Sequence, residues 1–312
     1  MSDVPAAEQS STTPVTTPSS ASSPVLTHSV ADARAAVRRL RERGLSVALV
    51  PTMGALHAGH LSLVELARTQ ADVVVVSIFV NPVQFGPTED LAAYPRTLDD
   101  DVRLLAGSAA VVFAPSAEEM YPDGWPQTLV TPGEIATRYE GALRPGHFAG
   151  VLTVISKLFH IVQPDIAVFG EKDAQQLAVV RRMVADLDVP VRIVGAPIRR
   201  DTDGIALSSR NRYLSESERA TALFLSRAIT AVAEQARDGV YPSAARAVGI
   251  SLLEAQAGIE IDYLDIVDES TFTAVDDDFT GDARVIVAAR VGTTRLIDNT
   301  PAHFGAGTEE TA

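Results

Sequence analysis

Over the first two-thirds of the chain, short apolar runs alternate with segments of helical periodicity. Residues 46–51 (SVALVP) are a continuous apolar run, and residues 72–82 (DVVVVSIFVNP) carry four successive valines. Residues 109–115 (AAVVFAP), 165–170 (DIAVFG) and 189–197 (VPVRIVGAP) repeat the type. Runs rich in β-branched residues, without a polar alternate, imply strands covered on both faces. Between them, residues 31–44, 60–70, 97–107, 151–162 and 173–187 repeat their apolar positions at helical spacing. The first closes on Gly44, and the third opens on acidic residues that suit a helix N-terminus. Alternation of this kind predicts right-handed crossovers and a parallel sheet. The expected fold class is α/β, with a doubly wound, Rossmann-like, nucleotide-binding domain over about residues 26–198. Ligands of such sheets sit beyond the carboxyl ends of the strands, so candidate chemistry is sought there.

After residue 198 the pattern changes. Residues 215–239 and 242–258 read as helices, while 259–268 and 283–292 alternate as strands of a half-covered sheet. A smaller α+β domain closing over the site is expected at 199–302. Residues 1–25 contain 15 Ser, Thr and Pro, and the first basic residue is Arg34. They lack the basic start and apolar stretch of a signal peptide and the arginines of a transit peptide, so a disordered tail is expected. Residues 303–312 read as a short frayed end.

Composition narrows the function. The 312-residue chain is 46% hydrophobic and 21% charged, as expected of an ordinary soluble globular protein. Its formal net charge of −14 opposes nucleic-acid binding, so a phosphate ligand must be captured by a local site. The absence of cysteine excludes a thiolate nucleophile, a covalent thioester and Cys-ligated zinc. No apolar run approaches the roughly 18–20 residues of a membrane span. Only Lys157 and Lys172 among the 26 basic residues are lysine. A chain that otherwise uses arginine for positive charge draws attention to a lysine kept at a strand end.

The first predicted strand runs into "PTMGALHAGH". Gly54 allows a close backbone approach, and a helix starting near His57 offers unpaired N–H groups to an anion. His57 and His60 share one face of its first turn, with Gly59 leaving room beside the rings. Three readings are open. The pair supplies two zinc ligands, or fills a core, or presents two N–H donors to a phosphate chain, with either ring protonated near pH 7. The second strand leads to Pro82 and Gln84. The fourth leads to Gly170, Glu171, Lys172 and Asp173, with Asp173 a plausible N-cap and Gln176 one turn on. Ser208, Ser209 and Arg210 form a polar cluster at the join between the domains. Asp100 and Asp101 either help to place a metal or simply begin a helix; the helix dipole favours the second. Arg144 and His147 in "RPGHF" are placed to reach the pocket mouth.

Six segments in order, "PTMGALHAGH", "SIFVNPVQF", "YPRTLDDD", "RPGHFAGVLTVISKLF", "FGEKD" with Gln176, and "SSRNRYLS", resemble the pantoate–beta-alanine ligase (pantothenate synthetase) family. The resemblance runs from about residue 46 to 215 and is more diffuse beyond. Its HxGH element also marks the wider nucleotidylyltransferase superfamily. The resemblance implies an ATP-dependent, AMP-forming ligase that joins (R)-pantoate to beta-alanine through a pantoyl-adenylate. Mg2+ would accompany ATP, and the enzyme would be a cytoplasmic homodimer. It assigns the adenylation chemistry to His57, His60 and Lys172, with His60 as proton donor. The ATP site would comprise Met53, Gly54, Ala55, Leu56, His57, Ala58, Gly59 and His60, then Gly170, Glu171, Lys172 and Asp173, then Arg199, Leu207, Ser208, Ser209 and Arg210. Gln84 and Gln176 match the glutamines that hold pantoate. Two positions depart from the pattern: Leu207 stands where methionine is expected, and Arg199 replaces an apolar residue.

Overall fold

The two kinds of hydrophobic pattern fold into two sheets in the computed structural model, which describes residues 22–86, 91 and 94–305. The Ser/Thr/Pro-rich segment up to residue 21, and residues 306–312 of the expected frayed end, lie outside the described residues.

The first sheet has six parallel strands: β1 (Val25–Thr27), β2 (Val47–Thr52), β3 (Val73–Ile78), β4 (Val111–Phe113), β5 (Ile166–Gly170) and β6 (Arg192–Ala196). Helices α1 (Val30–Arg41), α2 (Ala58–Gln70), α3 (Leu98–Leu104), α4 (Ala117–Met120), α5 (Tyr139–Leu143), α6 (His147–Val162) and α7 (Ala174–Asp186) connect them. Val47, Leu49, Val75 and Phe113 pack towards α1, α6 and α7; Ala48, Val50, Val74 and Val76 pack towards α2 and α3. The four successive valines are therefore explained by a sheet with helices on both faces. Strand β1 was not expected. Three residues at a sheet edge are too few to display a period, and pairing with β4 defines them.

The strand order is β1-β4-β3-β2-β5-β6. After β2 the chain winds outward through β3 and β4; after β4 it returns to the other side of β2 to form β5 and β6. The order reverses between β2 and β5, which pair at Ala48–Ile166 and Leu49–Ala167. A reversal opens a crevice at the carboxyl ends, because the connections on its two sides leave in opposite directions. The segments that follow β2 and β5 therefore face one another, although more than a hundred residues separate them in sequence.

The second sheet is an antiparallel meander of β7 (Ile259–Asp268), β8 (Gly281–Val291) and β9 (Thr294–Phe304), packed on α8 (Glu216–Arg237) and α9 (Pro242–Glu254). Strand β9 corrects the expectation of a frayed end from residue 303, since His303 and Phe304 pair with Asp282 and Gly281. Its polar run and Pro301 disguise it; Pro301 is tolerated because β9 is an edge strand.

The second unit is tied to the first by charged and polar contacts. Arg295 of β9 bonds Glu140 at 2.7 Å, and Tyr263 donates to the same carboxylate at 2.9 Å. Tyr139 donates to Asp265 at 2.9 Å. A small apolar cluster of Ala174, Val267, Phe272 and Ile286 fills the joint. Among the described residues no helix is long and apolar enough to cross a membrane.

Candidate active site

A cavity of about 610 Å³ opens in the crevice, within the range typical of small-molecule sites. The segments after β2, β3, β5 and β6 all contribute to it. Met53, His57, Gly59, His60, Gln84, Gly170, Lys172, Asp173, Gln176, Arg199, Leu207, Ser208, Ser209 and Arg210 line it. Val151, Val154, Ile155 and Leu158 of α6 form an apolar wall. Among the described lining residues, five side chains are cationic (Arg144, Lys172, Arg199, Arg210 and Arg212) and only Asp173 is a carboxylate. A chain of formal charge −14 thus concentrates positive charge at one cavity, which favours anionic ligands there.

The histidines are built into the start of α2. His57 is its N-cap residue, and His57 Nδ1 accepts from Gly59 N at 3.1 Å. His60 Nδ1 accepts from His57 N at 3.4 Å, which completes a reciprocal capping box. The ring centroids lie 4.1 Å apart. Gly59 gives room for this, since a Cβ there would stand 2.8 Å from His57 Cε1. Each Nδ1 is an acceptor, so each neutral ring carries its proton on Nε2. The pair therefore offers two N–H donors, as the phosphate reading requires. Zinc would need the Nε2 lone pairs, which this tautomer does not provide, and among the described residues no three His, Asp or Glu side chains gather as ligands.

The expectation that either ring is protonated near pH 7 is corrected. Burial, then the neighbouring His57 and Lys172 charges, lower the His60 pKa to about 4, with Asp173 opposing. His57 is also lowered, by burial and then by Lys172 and Arg212. Both rings are neutral donors in the free protein.

Asp101 sets the shape of the loop that precedes the pair. It is 1% exposed, and its carboxylate accepts from Ala55 N at 3.0 Å and Leu56 N at 2.8 Å. Gly54, at φ +83°, makes the turn that brings these N–H groups round. This overturns the metal reading of Asp101: its oxygens face the loop backbone and not the cavity. Asp100 is exposed and pairs with Arg103, also away from the cavity. The Ala55 and Leu56 N–H groups are thus bonded within the loop, and neither residue lines the cavity. Ala58 is exposed and does not line the cavity.

Lys172 follows β5 in a 3-10 turn, Glu171–Asp173. Its Nζ lies 3.9 Å from Asp173 Oδ1. Asp173 occupies the N-cap position of α7 but makes no side-chain capping bond, so capping does not account for it. Glu171 points instead towards Arg284, 3.7 Å away, and its side chain is not on the cavity wall.

Gln84 is held in a 3-10 turn, Pro82–Gln84, that lies against α6. The fit depends on Gly150, where a Cβ would come within 2.5 Å of Val83 O. Asn81, which sequence reasoning passed over, donates to Gln84 Oε1 and to Gly150 O, each at 3.1 Å, and accepts from Tyr121 at 2.9 Å. An asparagine directly before proline at a strand end was its one visible signal. His147 is buried; its Nδ1 donates to Gln84 O at 2.9 Å, and its Nε2 faces Arg144 Nη1 at 2.9 Å. Gln176 reaches the same cavity from α7. Leu207 N donates to Arg199 O at 2.9 Å, which closes a short antiparallel loop and brings both departures from the expected pattern to the cavity side by side.

Comparison with known proteins identifies the family. Residues 25–301 match the family model described as pantoate-beta-alanine ligase. A pantothenate synthetase of Thermobifida fusca is 53% identical over 293 residues, covering 91% of this chain and 98% of that protein. One from Leifsonia xyli is 56% identical over 258 residues, covering 81% and 88%. The crystal structure of pantothenate synthetase from Thermus thermophilus superposes with a TM-score of 0.82 at 49% identity, covering 88% of this chain and 98% of that one. A pantoate-beta-alanine ligase from Francisella tularensis, complexed with beta-gamma ATP and beta-alanine, gives 0.71 at 33% identity, covering 89% and 97%.

Proposed function

The chain belongs to the pantoate–beta-alanine ligase family, whose members join (R)-pantoate to beta-alanine at the expense of ATP, and we propose how its cavity performs that reaction. The pantoate carboxylate attacks the α-phosphorus of ATP. The bond from that phosphorus to the α,β-bridging oxygen breaks, and pyrophosphate leaves. The amine of beta-alanine then attacks the acyl carbon of pantoyl-adenylate. The acyl C–O bond breaks, the nitrogen loses a proton, and AMP leaves with pantothenate formed. No protein nucleophile is required, in keeping with a chain that has no cysteine.

His57 and His60 donate from Nε2 to the triphosphate, and Lys172 neutralises the charge that builds up on it during adenylation. Donors already aimed at developing charge need no reorganisation, which is the source of their effect on rate. Met53, Gly170, Asp173, Arg199, Leu207, Ser208, Ser209 and Arg210 form the rest of the ATP site. Gln84 and Gln176 orient pantoate through neutral amides, which leave its carboxylate free of a fixed cation that would blunt the nucleophile. The apolar wall of α6 takes the branched carbon skeleton. The single observation that carries this reading is that the imidazole pair and Lys172 line one positively charged cavity.

In this reading Mg2+ would accompany ATP and would supply neutralisation of phosphate charge. Asp173, the one carboxylate on the described wall, is the residue that would help to hold it. The reading also includes a homodimer, to be checked by sedimentation, and a cytoplasmic setting.

The test is AMP release from ATP and pantoate, with and without beta-alanine, together with pantoate-dependent pyrophosphate exchange. AMP accumulates only with both substrates, and exchange needs pantoate alone. His60→Ala lowers exchange by about 10²–10³-fold with the fold intact. Exchange near the wild-type rate in that variant would remove histidine from the mechanism.

A further inference from the structure

We propose that Asn299, in the C-terminal sheet, is a positioning residue for Lys172, and so for the adenylation half of the reaction. The inference rests on the reading of Lys172 given above. Asn299 lies in β9, opposite Ile286, and is 2% exposed. Its Nδ2 donates to Glu171 O and to Lys172 O, both at 2.9 Å. Its Oδ1 accepts from Arg284 Nη1 at 2.7 Å. Both N–H bonds and the carbonyl oxygen of the amide are in use, and none of them reaches the cavity.

The orientation of the amide is fixed from behind. Arg284 is buried and can only donate, so the oxygen of Asn299 must face it. The NH2 group is then forced towards the two carbonyls of the loop. Arg284 is itself held by Glu269 at 2.6 Å and stands 3.7 Å from Glu171. A carboxylate, an arginine and an amide thus run from the second sheet to the backbone of two successive residues, the second of which is Lys172.

The 3-10 turn that carries Lys172 has no side-chain cap of its own at either Gly170 or Asp173. Asn299 instead holds the turn from another part of the chain, by donating to two of its carbonyls. It fixes the point from which the lysine rises. A displacement of the order of 1 Å at a charge-stabilising group costs about 10²-fold in rate. The effect falls on the step in which phosphate charge develops, and much less on attack by beta-alanine on an adenylate already made.

The experiment compares Asn299→Asp with Lys172→Ala and with the double variant, in the full chain. Asn299→Asp keeps the shape and turns an acceptor towards the two carbonyls. Pantoate-dependent pyrophosphate exchange reads adenylation; AMP release from preformed pantoyl-adenylate and beta-alanine reads the second half. Asn299→Asp lowers exchange by about 10–100-fold and the second half by less than about threefold. In the Lys172→Ala background it produces no further loss of exchange. Should the charged variant melt below the assay temperature, Asn299→Ser, which shortens the reach without adding charge, carries the same expectations. Wild-type exchange, equal losses in both halves, or losses that multiply with that of Lys172→Ala would each overturn the inference. Lys172→Ala with undiminished exchange would instead remove the role of the lysine itself, so the two failures are distinguishable.

Discussion

The two loops that meet in the cavity are held in opposite ways. The loop after β2 is anchored close at hand: its histidines cap one another's helix turn, and Asp101 from the start of α3 accepts two of its N–H groups. The loop after β5 makes no side-chain cap, and its carbonyls are bonded from β9, nearly 130 residues further along the chain. The imidazole donors therefore belong to the first domain alone. The ammonium is correctly set only when the second sheet is seated. A site assembled across such a joint senses the position of the C-terminal unit through its ammonium and not through its neutral imidazoles.

The sharpest way to break this contrast is at Asp101. Asp101→Asn presents an N–H group where a carboxylate oxygen now accepts, so one of two buried backbone donors loses its partner. The expected cost is about 1.5–3 kcal/mol of stability, read by denaturant unfolding. Adenylation should fall about tenfold or more, because the turn that aims His57 and His60 is loosened. Retention of both stability and exchange would mean that the capping box alone shapes the loop.

Acidity tests the same loop more gently. The His60 pKa is about 4 in the folded chain against 6.5 unperturbed, so between those values the unfolded state binds the extra proton. The stability tied to His60 is fully present above pH 6.5 and is lost as the pH falls towards 4. The melting temperature of the wild type should drop across that window more steeply than that of His60→Ala, and ATP should raise it most where protonated rings meet phosphate. Parallel curves for the two proteins would place the ring outside the buried, charge-crowded setting described above.

The smallest effect is expected at Leu207. Its N–H already bonds Arg199 O, so the loop geometry does not depend on the side chain. Leu207→Met conserves volume, and the KM for ATP should change by less than about threefold. A larger change would assign adenine contact to the side chain.

Much of the first domain was legible because burial on two faces leaves a mark on every residue of a strand. The run of four valines in β3 admits few other readings, and the alternation with helices sets the parallel sheet. Strands β1 and β9 were not legible. The first is too short to show a period, and the second owes its place to pairing with β8 and not to its own composition. At the site, His57, His60, Gln84 and Lys172 could be picked out because polar residues at the ends of apolar strands need an explanation, whereas Gln176, one turn into α7, took its role only from the family resemblance. Asp101 was read as a helix start, which it is, but its partners Ala55 and Leu56 are brought to it only by packing.

The sequence by itself determined which segments become buried strands and which chemical groups stand at their ends, since burial and side-chain chemistry are properties of single positions and their near neighbours. It did not determine charge state, tautomer or support. Neutral imidazoles with the proton on Nε2, a carboxylate turned from cavity to loop, and an asparagine that holds a lysine's backbone depend on burial and on which groups are brought within hydrogen-bond reach, and only the reversal of strand order between β2 and β5, with β9 closed against it, decides that.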